Sequence, residues 1–337
     1  MAKITIDGIT AEVPDGTTIL NAARMIGGEI VPPAMCYYSK LKTSGGYCRT
    51  CIVKVTKGSE KDPRPMPKPV ASCRTTVMDG MEVQNITSPD LLEARAGVVE
   101  FLLMNHPLDC PVCDQAGECH LQDLGYDNGK AGTRYEFPRR EFERIDIGDK
   151  VQLHMNRCIL CYRCVKVADQ LTDDRVHGVI NRGEVAEIST YIQNSIDNEM
   201  SGNVIDVCPV GALTDKTFRF KSRVWYTKPV DAHRDCPTCA GKVRLWYKGE
   251  EVLRVTGRKD QYGEVEDWIC NTCRFDKKET KDWVIEGPSN IDRHSVISAN
   301  HYQTVQALKA TTERQLKALP HGQKVGLGHG ALDPNNK

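Results

Sequence analysis

The sequence predicts an α+β protein of several small domains, each organised around a group of cysteines. Its 337 residues suit two or three compact domains and are enough to bury real cores. Short segments with strand-like alternation and a few amphipathic helical segments supply the α+β prediction. The 15 cysteines fall into consecutive groups with none left over, so metal or redox chemistry organises the chain.

Composition and charge exclude several classes of protein. The 45 basic and 45 acidic residues give a formal charge of zero, which argues against a nucleic-acid binder. No apolar run approaches the ~18 residues of a membrane-spanning helix. The first residues, MAKITIDGIT, resemble neither a secretory signal nor a transit peptide. We therefore expect a soluble, cytoplasmic chain whose odd number of cysteines is not used for disulfides.

The cysteines form four groups along the chain. Eleven of the 15 lie in C-x2-C steps, whereas cysteines used as small hydrophobic residues would be scattered singly. Short steps let consecutive thiolates converge on one ion or cluster, so metal binding is favoured over buried filler. The first group is Cys36, Cys48, Cys51 and Cys73; the second is Cys110, Cys113 and Cys119; the third is Cys158, Cys161, Cys164 and Cys208; the fourth is Cys236, Cys239, Cys270 and Cys273.

A β-rich domain is predicted over residues 1–85. Alternating apolar residues precede Asp7-Gly8, a hairpin signal, and a second strand follows it. A short helix is predicted from Thr18 to the glycines at Gly27 and Gly28. The apolar positions are Ile4, Ile6, Ala11 and Val13 in the strands and Ile19, Ala22, Ala23 and Ile26 in the helix.

The first group has the spacing C-x11-C-x2-C-x21-C. Gly45 and Gly46 precede Cys48, as a loop that folds its amides around sulfur requires. Plant-type [2Fe–2S] proteins use C-x4-C-x2-C with a distant fourth cysteine, and this chain widens only the first gap. Hairpin, helix and glycine-rich loop together favour a [2Fe–2S] centre over a zinc knuckle with two unrelated cysteines.

A helix is predicted to begin at Ser88-Pro89-Asp90, ahead of the second group. Its apolar stripe is predicted at Leu91, Val98 and Leu102, and His106 continues that stripe one turn later. In isolation, a histidine at such a position is as often a packed or capping residue as a ligand.

The second group lacks a fourth cysteine, since it reads His106-x3-Cys110-x2-Cys113-x5-Cys119. A [4Fe–4S] cluster held by one imidazole and three thiolates completes the ligand count. His120 is the rival ligand, but it follows Cys119 directly and should point elsewhere. A neutral imidazole in place of a thiolate should raise the potential of such a centre, by analogy with Rieske sites.

The third group carries the first three cysteines of a bacterial ferredoxin run. A two-cluster ferredoxin would have further cysteines where this chain has Ala168, Asn198, Ser201 and Val204. The last cysteine of such a run ligates the other run's cluster, so Cys208 should join Cys158, Cys161 and Cys164 on one [4Fe–4S] cluster. A zinc site fits the three-residue steps less well.

The fourth group consists of two C-x2-C knuckles separated by 30 residues. Between them, apolar alternation at Val243, Leu245 and Tyr247, a turn at Lys248-Gly249 and a second strand over 251–255 predict a hairpin. This is the pattern of a zinc ribbon, and zinc is favoured over a further [4Fe–4S] cluster.

Other signals are weaker. Gly326, Gly328 and Ala331 imitate a dinucleotide fingerprint, but too few residues follow for a βαβ unit, so this site is discounted. We find neither a Walker-type phosphate loop nor a supported Ser/His/Asp set. Four arginines lie beside the cysteines in the sequence and could offset the negative charge of a cluster. That they are ordinary solvent-exposed surface residues is at least as common an explanation. The four are Arg49, Arg74, Arg157 and Arg163.

Together the motifs resemble the family of large iron–sulfur subunits, of G type, in bacterial NADH:quinone oxidoreductase, complex I; the mitochondrial counterpart is the 75-kDa subunit. The runs HPLDCPVCDQAGECHLQD (106–123) and MNRCILCYRCV (155–165) carry this resemblance, which covers about residues 1–285. It implies a β-grasp [2Fe–2S] domain (1–85), a helical segment with a histidine-ligated [4Fe–4S] cluster (86–130), a one-cluster ferredoxin-like domain (131–222), a β-rich four-cysteine domain (223–285) and a truncated tail (286–337).

Two departures from this family matter. Most relatives continue into a molybdopterin-enzyme-like domain, of which the tail, with a helix predicted near 302–318, resembles a stub. Some relatives hold an extra cluster on C-x2-C-x3-C…C. Here Cys236, Cys239 and Cys270 match three of those ligands, but Val243 stands at the remaining position and Cys273 appears instead. Zinc therefore remains favoured.

The resemblance implies an electron relay without a catalytic site of its own. Single electrons would pass from a flavoprotein subunit that oxidises NADH toward cluster-bearing subunits on the quinone side of the respiratory chain. The chain would then lie peripherally on the cytoplasmic face of the inner membrane. Two alternatives stay open: the iron–sulfur subunit of a soluble NAD-linked hydrogenase or formate dehydrogenase, and a zinc-binding structural protein.

Overall fold

The computed structural model describes residues 1–288, apart from 130, 131, 133, 144, 174 and 192–194. The helix predicted near 302–318 and the discounted glycine motif lie outside the described residues. Within this part of the chain, the strands are β1 (Ala2–Ile6), β2 (Ile9–Val13), β3 (Ile52–Lys57), β4 (Val70–Ala71), β5 (Met81–Gln84), β6 (Val151–Leu153), β7 (His177–Ile180), β8 (Glu187–Thr190), β9 (Leu213–Asp215), β10 (Lys228–His233), β11 (Lys242–Lys248), β12 (Glu251–Gly257) and β13 (Val284–Pro288).

Five short α-helices accompany these strands in the described residues. None of them is both long and apolar enough to cross a lipid bilayer. They are α1 (Ile19–Ile26), α2 (Pro89–Met104), α3 (His120–Asn128), α4 (Arg163–Val167) and α5 (Asn203–Val207).

The N-terminal sheet is mixed, with the strand order β2-β1-β5-β3-β4. The predicted hairpin is confirmed, because β1 and β2 pair antiparallel around Asp7-Gly8. Strand β5 then pairs parallel to β1, with Ile4 opposite Met81. The inward faces of both strands are fully buried, since Ile4 and Met81 are each 0% exposed.

The predicted first helix is confirmed at both ends. The Thr18 hydroxyl accepts a hydrogen bond from the Asn21 amide (3.3 Å), which satisfies one of the free N–H groups of the first turn. The helix ends at Gly27, whose φ of 79° is accessible to glycine at little cost. Its buried face, Ile19, Ala22 and Ala23, packs into the core of the N-terminal sheet.

Helix α2 begins where the sequence predicts, and its predicted apolar stripe is confirmed only at Leu91. The buried face consists of Leu91, Arg95, Val99 and Glu100. The other two predicted positions, Val98 and Leu102, are half-buried. Arg95 donates hydrogen bonds to the carbonyls of residues 50 and 52 at 3.2 and 3.0 Å, so a charged residue fastens the helix to the N-terminal sheet. Periodicity of apolar residues could not reveal a buried arginine.

The centre of the chain contains two small antiparallel pairs, β6 with β9 and β7 with β8. The largest core cluster lies here and includes cysteines of the first, second and third groups together with aliphatic residues such as Val167 and Val207. Most thiols of these groups therefore lie in the interior, whereas Cys110 is exposed.

The last sheet is antiparallel, with the order β12-β11-β10-β13. The predicted hairpin is confirmed: β11 and β12 turn at Gly249, which has a φ of +63°. The segment between β12 and β13 carries Cys270 and Cys273, which are both 0% exposed. This sheet packs on the central core through the buried pair of Arg274 and Asp206.

Candidate metal centres

Backbone amides surround the sulfurs of the first group. The amides of Tyr47 and Cys48 donate to the Sγ atom of Cys36 at 3.3 and 3.4 Å. The amide of Gly46 donates to the Sγ atom of Cys73 at 3.2 Å. The predicted folding of this glycine-rich loop around sulfur is confirmed, and such amides stabilise negatively charged thiolates.

The four thiols of the first group are buried and form a connected chain. Hydrogen bonds from the thiols of Cys48 and Cys73 lower the pKa of Cys36 to about 2. Cys73 likewise lowers the pKa of Cys51 to about 7. A chain of sulfurs, rather than a compact set, suits two adjacent metal ions held by two thiolates each.

His106 lies just beyond α2, where its amide donates to the Leu103 carbonyl at 3.0 Å. Burial, and then the charge of Arg157, lower the pKa of His106 to about 4. The imidazole is therefore neutral at neutral pH, which is the form that ligates metals. His120, the rival ligand, is the first residue of α3 and lies beside Gly263, in the segment that follows β12.

The cysteines of the second group differ in exposure. Cys113 and Cys119 are 9% and 8% exposed, whereas Cys110 lies at the surface. Burial raises the pKa of both inner thiols, with the charge of Arg157 opposing this at Cys113. Arg157 itself is held by Asp109, whose Oδ2 atom accepts from its Nε and Nη2 atoms at 3.0 and 2.8 Å.

The sequence reasoning missed Gly211 as a site residue. A Cβ atom at this position would stand 2.1 Å from the Sγ atom of Cys113, so only glycine leaves room for the sulfur. The Sγ atom of Cys119 lies 3.9 Å from the Pro209 carbonyl oxygen. The second group thus packs against the loop that follows Cys208. A glycine soon after a Cys-Pro pair was the available signal.

The third group surrounds one cavity. Leu160 and Tyr162, which separate its first three cysteines, have φ values of +51° and +63°, uncommon for residues other than glycine. The resulting curl lets the Leu160 amide donate to the Sγ atom of Cys158 at 3.3 Å. All four cysteines line one small pocket, together with Leu153, Ile159, Tyr162, Ile188, Val210, Ala212 and Leu213.

The buried thiols of the third group are protonated in the absence of a ligand. Burial raises the pKa of Cys161 to about 12 and also raises the pKa values of Cys158, Cys164 and Cys208. A metal or cluster would displace these protons and would supply the positive charge that a buried thiolate lacks.

The residues that stand where a second ferredoxin run would have cysteines form hydrogen bonds to the fourth group's segment instead. The Asn271 side chain donates to the Asn198 carbonyl at 2.9 Å and to the Ser201 hydroxyl at 3.1 Å. The side-chain carbonyl oxygen of Asn271 also accepts from the Gly202 amide at 2.9 Å. This part of the chain therefore holds the knuckle formed by Cys270 and Cys273.

The fourth group is compact. The sulfurs of Cys236 and Cys270 are 3.8 Å apart, and those of Cys239 and Cys273 are 3.7 Å apart. All four sulfurs lie within 4.8 Å of one another, the one group of metal-ligand type with this property among the described residues. A tetrahedral zinc with bonds of about 2.3 Å requires sulfurs about 3.8 Å apart.

Val243 takes no part in the fourth group. It is a fully buried core residue of β11, and Cys273 completes the set in its place. Burial favours a high pKa at Cys236, but the amides of residues 238 and 239 and the neighbouring thiols outweigh it and lower this pKa to about 7. A thiol that loses its proton near neutral pH is well suited to bind a metal ion.

The four arginines beside the cysteines divide into two classes. Arg49 and Arg74 are exposed, so the surface interpretation holds for them. Arg157 and Arg163 are 7% and 3% exposed, so for these two that interpretation is wrong.

Three family descriptions match consecutive parts of the chain. Residues 1–88 match a "2Fe-2S iron-sulfur cluster binding domain". Residues 95–134 match the "NADH-ubiquinone oxidoreductase-G iron-sulfur binding region". Residues 148–214 match the "NADH-quinone oxidoreductase subunit 3, ferredoxin-like domain". The first three groups of ligand candidates fall within these three segments.

Whole-chain comparisons give relatives with related names. The G-type subunit of the NADH-quinone oxidoreductase of Rickettsia bellii is 38% identical over 312 residues, which are 91% of this chain and 43% of that protein. The NADH-ubiquinone oxidoreductase 75 kDa subunit of Reclinomonas americana is 42% identical over 275 residues, 82% of this chain and 38% of that protein. The chain thus spans about two fifths of the length of these curated relatives.

A solved structure shares much of the fold. A chain from the crystal structure of an NAD⁺-reducing [NiFe]-hydrogenase in the H₂-reduced state matches with a TM-score of 0.56 and 25% identity. The match covers 66% of this chain and 91% of the hydrogenase chain. At 38–42% identity over 82–91% of its own length, however, this chain belongs to the G-type (75-kDa) iron–sulfur subunit family of NADH-quinone oxidoreductase.

Proposed function

We propose that this chain is an electron-transfer subunit of NADH:quinone oxidoreductase, complex I, which relays single electrons from the flavoprotein subunit toward the quinone-side subunits. One observation carries the proposal: three sets of cysteines, most of them buried, fall in order within the three family segments. The partners we infer are the NADH- and FMN-binding subunit and the cluster-bearing connecting subunits. We place the chain at the cytoplasmic face of the inner membrane, held there through the complex.

Three sets of residues would hold iron–sulfur clusters. The first group would hold a [2Fe–2S] cluster, and His106 with the second group would hold a [4Fe–4S] cluster. The third group would hold another [4Fe–4S] cluster. When bound, such clusters supply one-electron redox chemistry.

The protein's own contribution is to position and shield these centres. Amides of the loop at 45–48 hold two sulfurs of the first group. The burial of His106 keeps its imidazole neutral for ligation. Apolar residues such as Leu153 and Ile188 line the third site. Burial and hydrogen bonding of this kind are the means by which proteins tune cluster potentials.

The fourth group is proposed to bind one zinc ion. Sulfur separations of 3.7 and 3.8 Å support a single tetrahedral ion, since a cluster of several atoms needs its thiolates further apart. Zinc has no redox chemistry in proteins, so this site would stabilise the last sheet and would not conduct electrons.

We also propose that the domain boundaries lie at residues 85, 130, 222 and 285.

The structural match to an NAD⁺-reducing hydrogenase supports a second candidate, the iron–sulfur subunit of a soluble NAD-linked hydrogenase. That class commonly keeps two ferredoxin clusters. Here the second run is replaced by residues that dock the fourth group, among them Asn198 and Ser201. The complex I assignment is therefore preferred.

The test is to isolate the complex that contains this chain, under anaerobic conditions and through an affinity tag on the chain. The complex I assignment predicts NADH:quinone reductase activity and an iron–sulfur EPR spectrum on reduction. A copurifying hydrogenase or formate dehydrogenase activity without quinone reductase would favour the second candidate. A colourless chain with zinc and no acid-labile sulfide would show that it is a zinc-binding structural protein.

A further inference from the structure

A buried arginine joins the first and third groups. Arg163 stands between Cys161 and Cys164 and is 3% exposed. Its guanidinium donates to the carbonyl of Val207, the residue before Cys208, at 3.2 Å. It also donates to the carbonyls of Ala34 (3.1 Å) and Tyr37 (2.6 Å), which flank Cys36. One side chain thus touches the ligand loops of two separate centres.

Arg163 forms no ion pair with a carboxylate among the described residues. Its Nε atom is buried and makes no hydrogen bond there. Its guanidinium also lies 5.1 Å from the ring centroid of Tyr38. A buried charge that is neither neutralised nor fully hydrogen-bonded is costly, so a negative partner outside the polypeptide is indicated.

Arg157 provides the contrast within the same molecule. It is nearly as buried, but Asp109 accepts two of its hydrogen bonds. This carboxylate offsets part of the Arg157 charge at nearby groups such as His106. Among the described residues, no carboxylate lies against Arg163 to offset its charge in the same way.

A second contact ties the same two loops. The ring centroids of Tyr47 and Tyr162 are 4.5 Å apart. The amide of Tyr47 donates to the Sγ atom of Cys36, and Tyr162 lies between Cys161 and Cys164. The two ligand loops are therefore packed on each other, and Arg163 lies at their junction.

We propose that Arg163 is a shared positioning residue whose uncompensated charge stabilises the reduced forms of the first and third centres together. The inference rests on the proposed function, because it requires clusters at both groups. Each added electron makes a centre more negative, so a fixed positive charge beside it favours reduction and raises its potential. Because one guanidinium serves two loops, both potentials should move together when the charge is removed.

The test is a redox titration, followed by EPR, of the anaerobically purified full chain and its Arg163→Gln variant. The expected result is a lower midpoint potential at the first and third centres and an unchanged second centre. A shift of about tenfold in the ratio of reduced to oxidised centre corresponds to about 59 mV for one electron. Arg163→Lys, which keeps the charge, should restore both potentials. Arg74→Gln is the matched control, because Arg74 also adjoins a cysteine but is exposed.

Unchanged potentials in Arg163→Gln, or a shift at the third centre alone, would overturn the proposal. If Arg163→Gln loses its clusters, the Arg163→Lys variant distinguishes the explanations. Clusters retained in Arg163→Lys at wild-type potentials would support a role for the charge. Loss of clusters in both variants would mean that the guanidinium only holds the two ligand loops together and would overturn the proposed role of its charge. Absence of acid-labile sulfide from the wild-type chain would instead refute the proposed function itself.

Discussion

The third and fourth groups use the same four ligands but arrange them differently. The cysteines of the third group surround one small, mainly apolar pocket in the central core. Among the described residues, no three of them have sulfurs within 4.8 Å of one another, whereas all four sulfurs of the fourth group do. The sequence spacings, C-x2-C-x2-C…C against C-x2-C…C-x2-C, correspond to this difference.

The difference indicates what each set of thiolates can hold. A single zinc ion needs its four sulfur ligands at the corners of a tetrahedron, about 3.8 Å from one another. A cubane cluster occupies space of its own and holds its thiolates apart. Among the described residues, the folded chain keeps the sulfurs of the third group apart and brings those of the fourth group together. The following predictions test that contrast, from the largest expected effect to the smallest.

The largest effect is expected from Cys208→Ser. This cysteine lies 44 residues beyond Cys164 in the sequence but lines the same cavity. Cys208→Ser and Cys161→Ser should therefore each remove about four irons and the same EPR component. Loss of two different spectral components in the two variants would show that these cysteines serve different centres.

Cys273→Ser is the matched substitution in the fourth group. It should remove about one zinc per chain and leave the iron and sulfide contents unchanged, because its sulfur is 3.7 Å from that of Cys239 in a one-ion arrangement. Metal analysis by mass spectrometry measures both elements on one sample. A loss of about four irons would mean that the fourth group holds a cluster.

His106→Ala should alter the second centre and no other. The imidazole is neutral at neutral pH and is the remaining ligand candidate for a set of three cysteines. EPR of the reduced variant is the measurement, and His120→Ala, at the start of α3, is the control that should keep every signal. If His106→Ala also retained every signal, the ligand assignment would be refuted.

The smallest change is Gly211→Ala, a single methyl group. Its Cβ atom would lie 2.1 Å from the Cys113 sulfur, so we expect partial loss of the second centre with the first centre intact. Gly97→Ala in α2, where nothing lies within 4 Å of the new Cβ atom, should instead stabilise the chain by roughly 0.5–1 kcal/mol. Full occupancy of the second centre in Gly211→Ala would show that this loop yields to the added methyl group.

Local patterns in the sequence predicted much of this architecture. The hairpin at Asp7-Gly8, the helix from Thr18 and the amide-lined loop at Gly46 each depend on a few neighbouring residues, and each is confirmed. The grouping of the cysteines depends on the same short-range geometry, because a C-x2-C step brings two sulfurs together wherever it occurs.

What the sequence could not predict depends on contacts between distant residues. The buried face of α2 includes Arg95, because carbonyls some 45 residues away accept its hydrogen bonds. The burial of Arg163 follows from packing against residues 34 and 37, more than 120 positions earlier. Apolar periodicity carries no information on such pairings, and a charged residue is a poor indicator of its own burial.

The most direct test of the contrast between a cavity and a compact set is the quantification of iron, acid-labile sulfide and zinc in the anaerobically isolated chain. One [2Fe–2S] cluster, two [4Fe–4S] clusters and one zinc ion predict about ten irons, about ten sulfides and about one zinc per chain. About fourteen irons without zinc would contradict the account, because the compact fourth group would then hold a cluster.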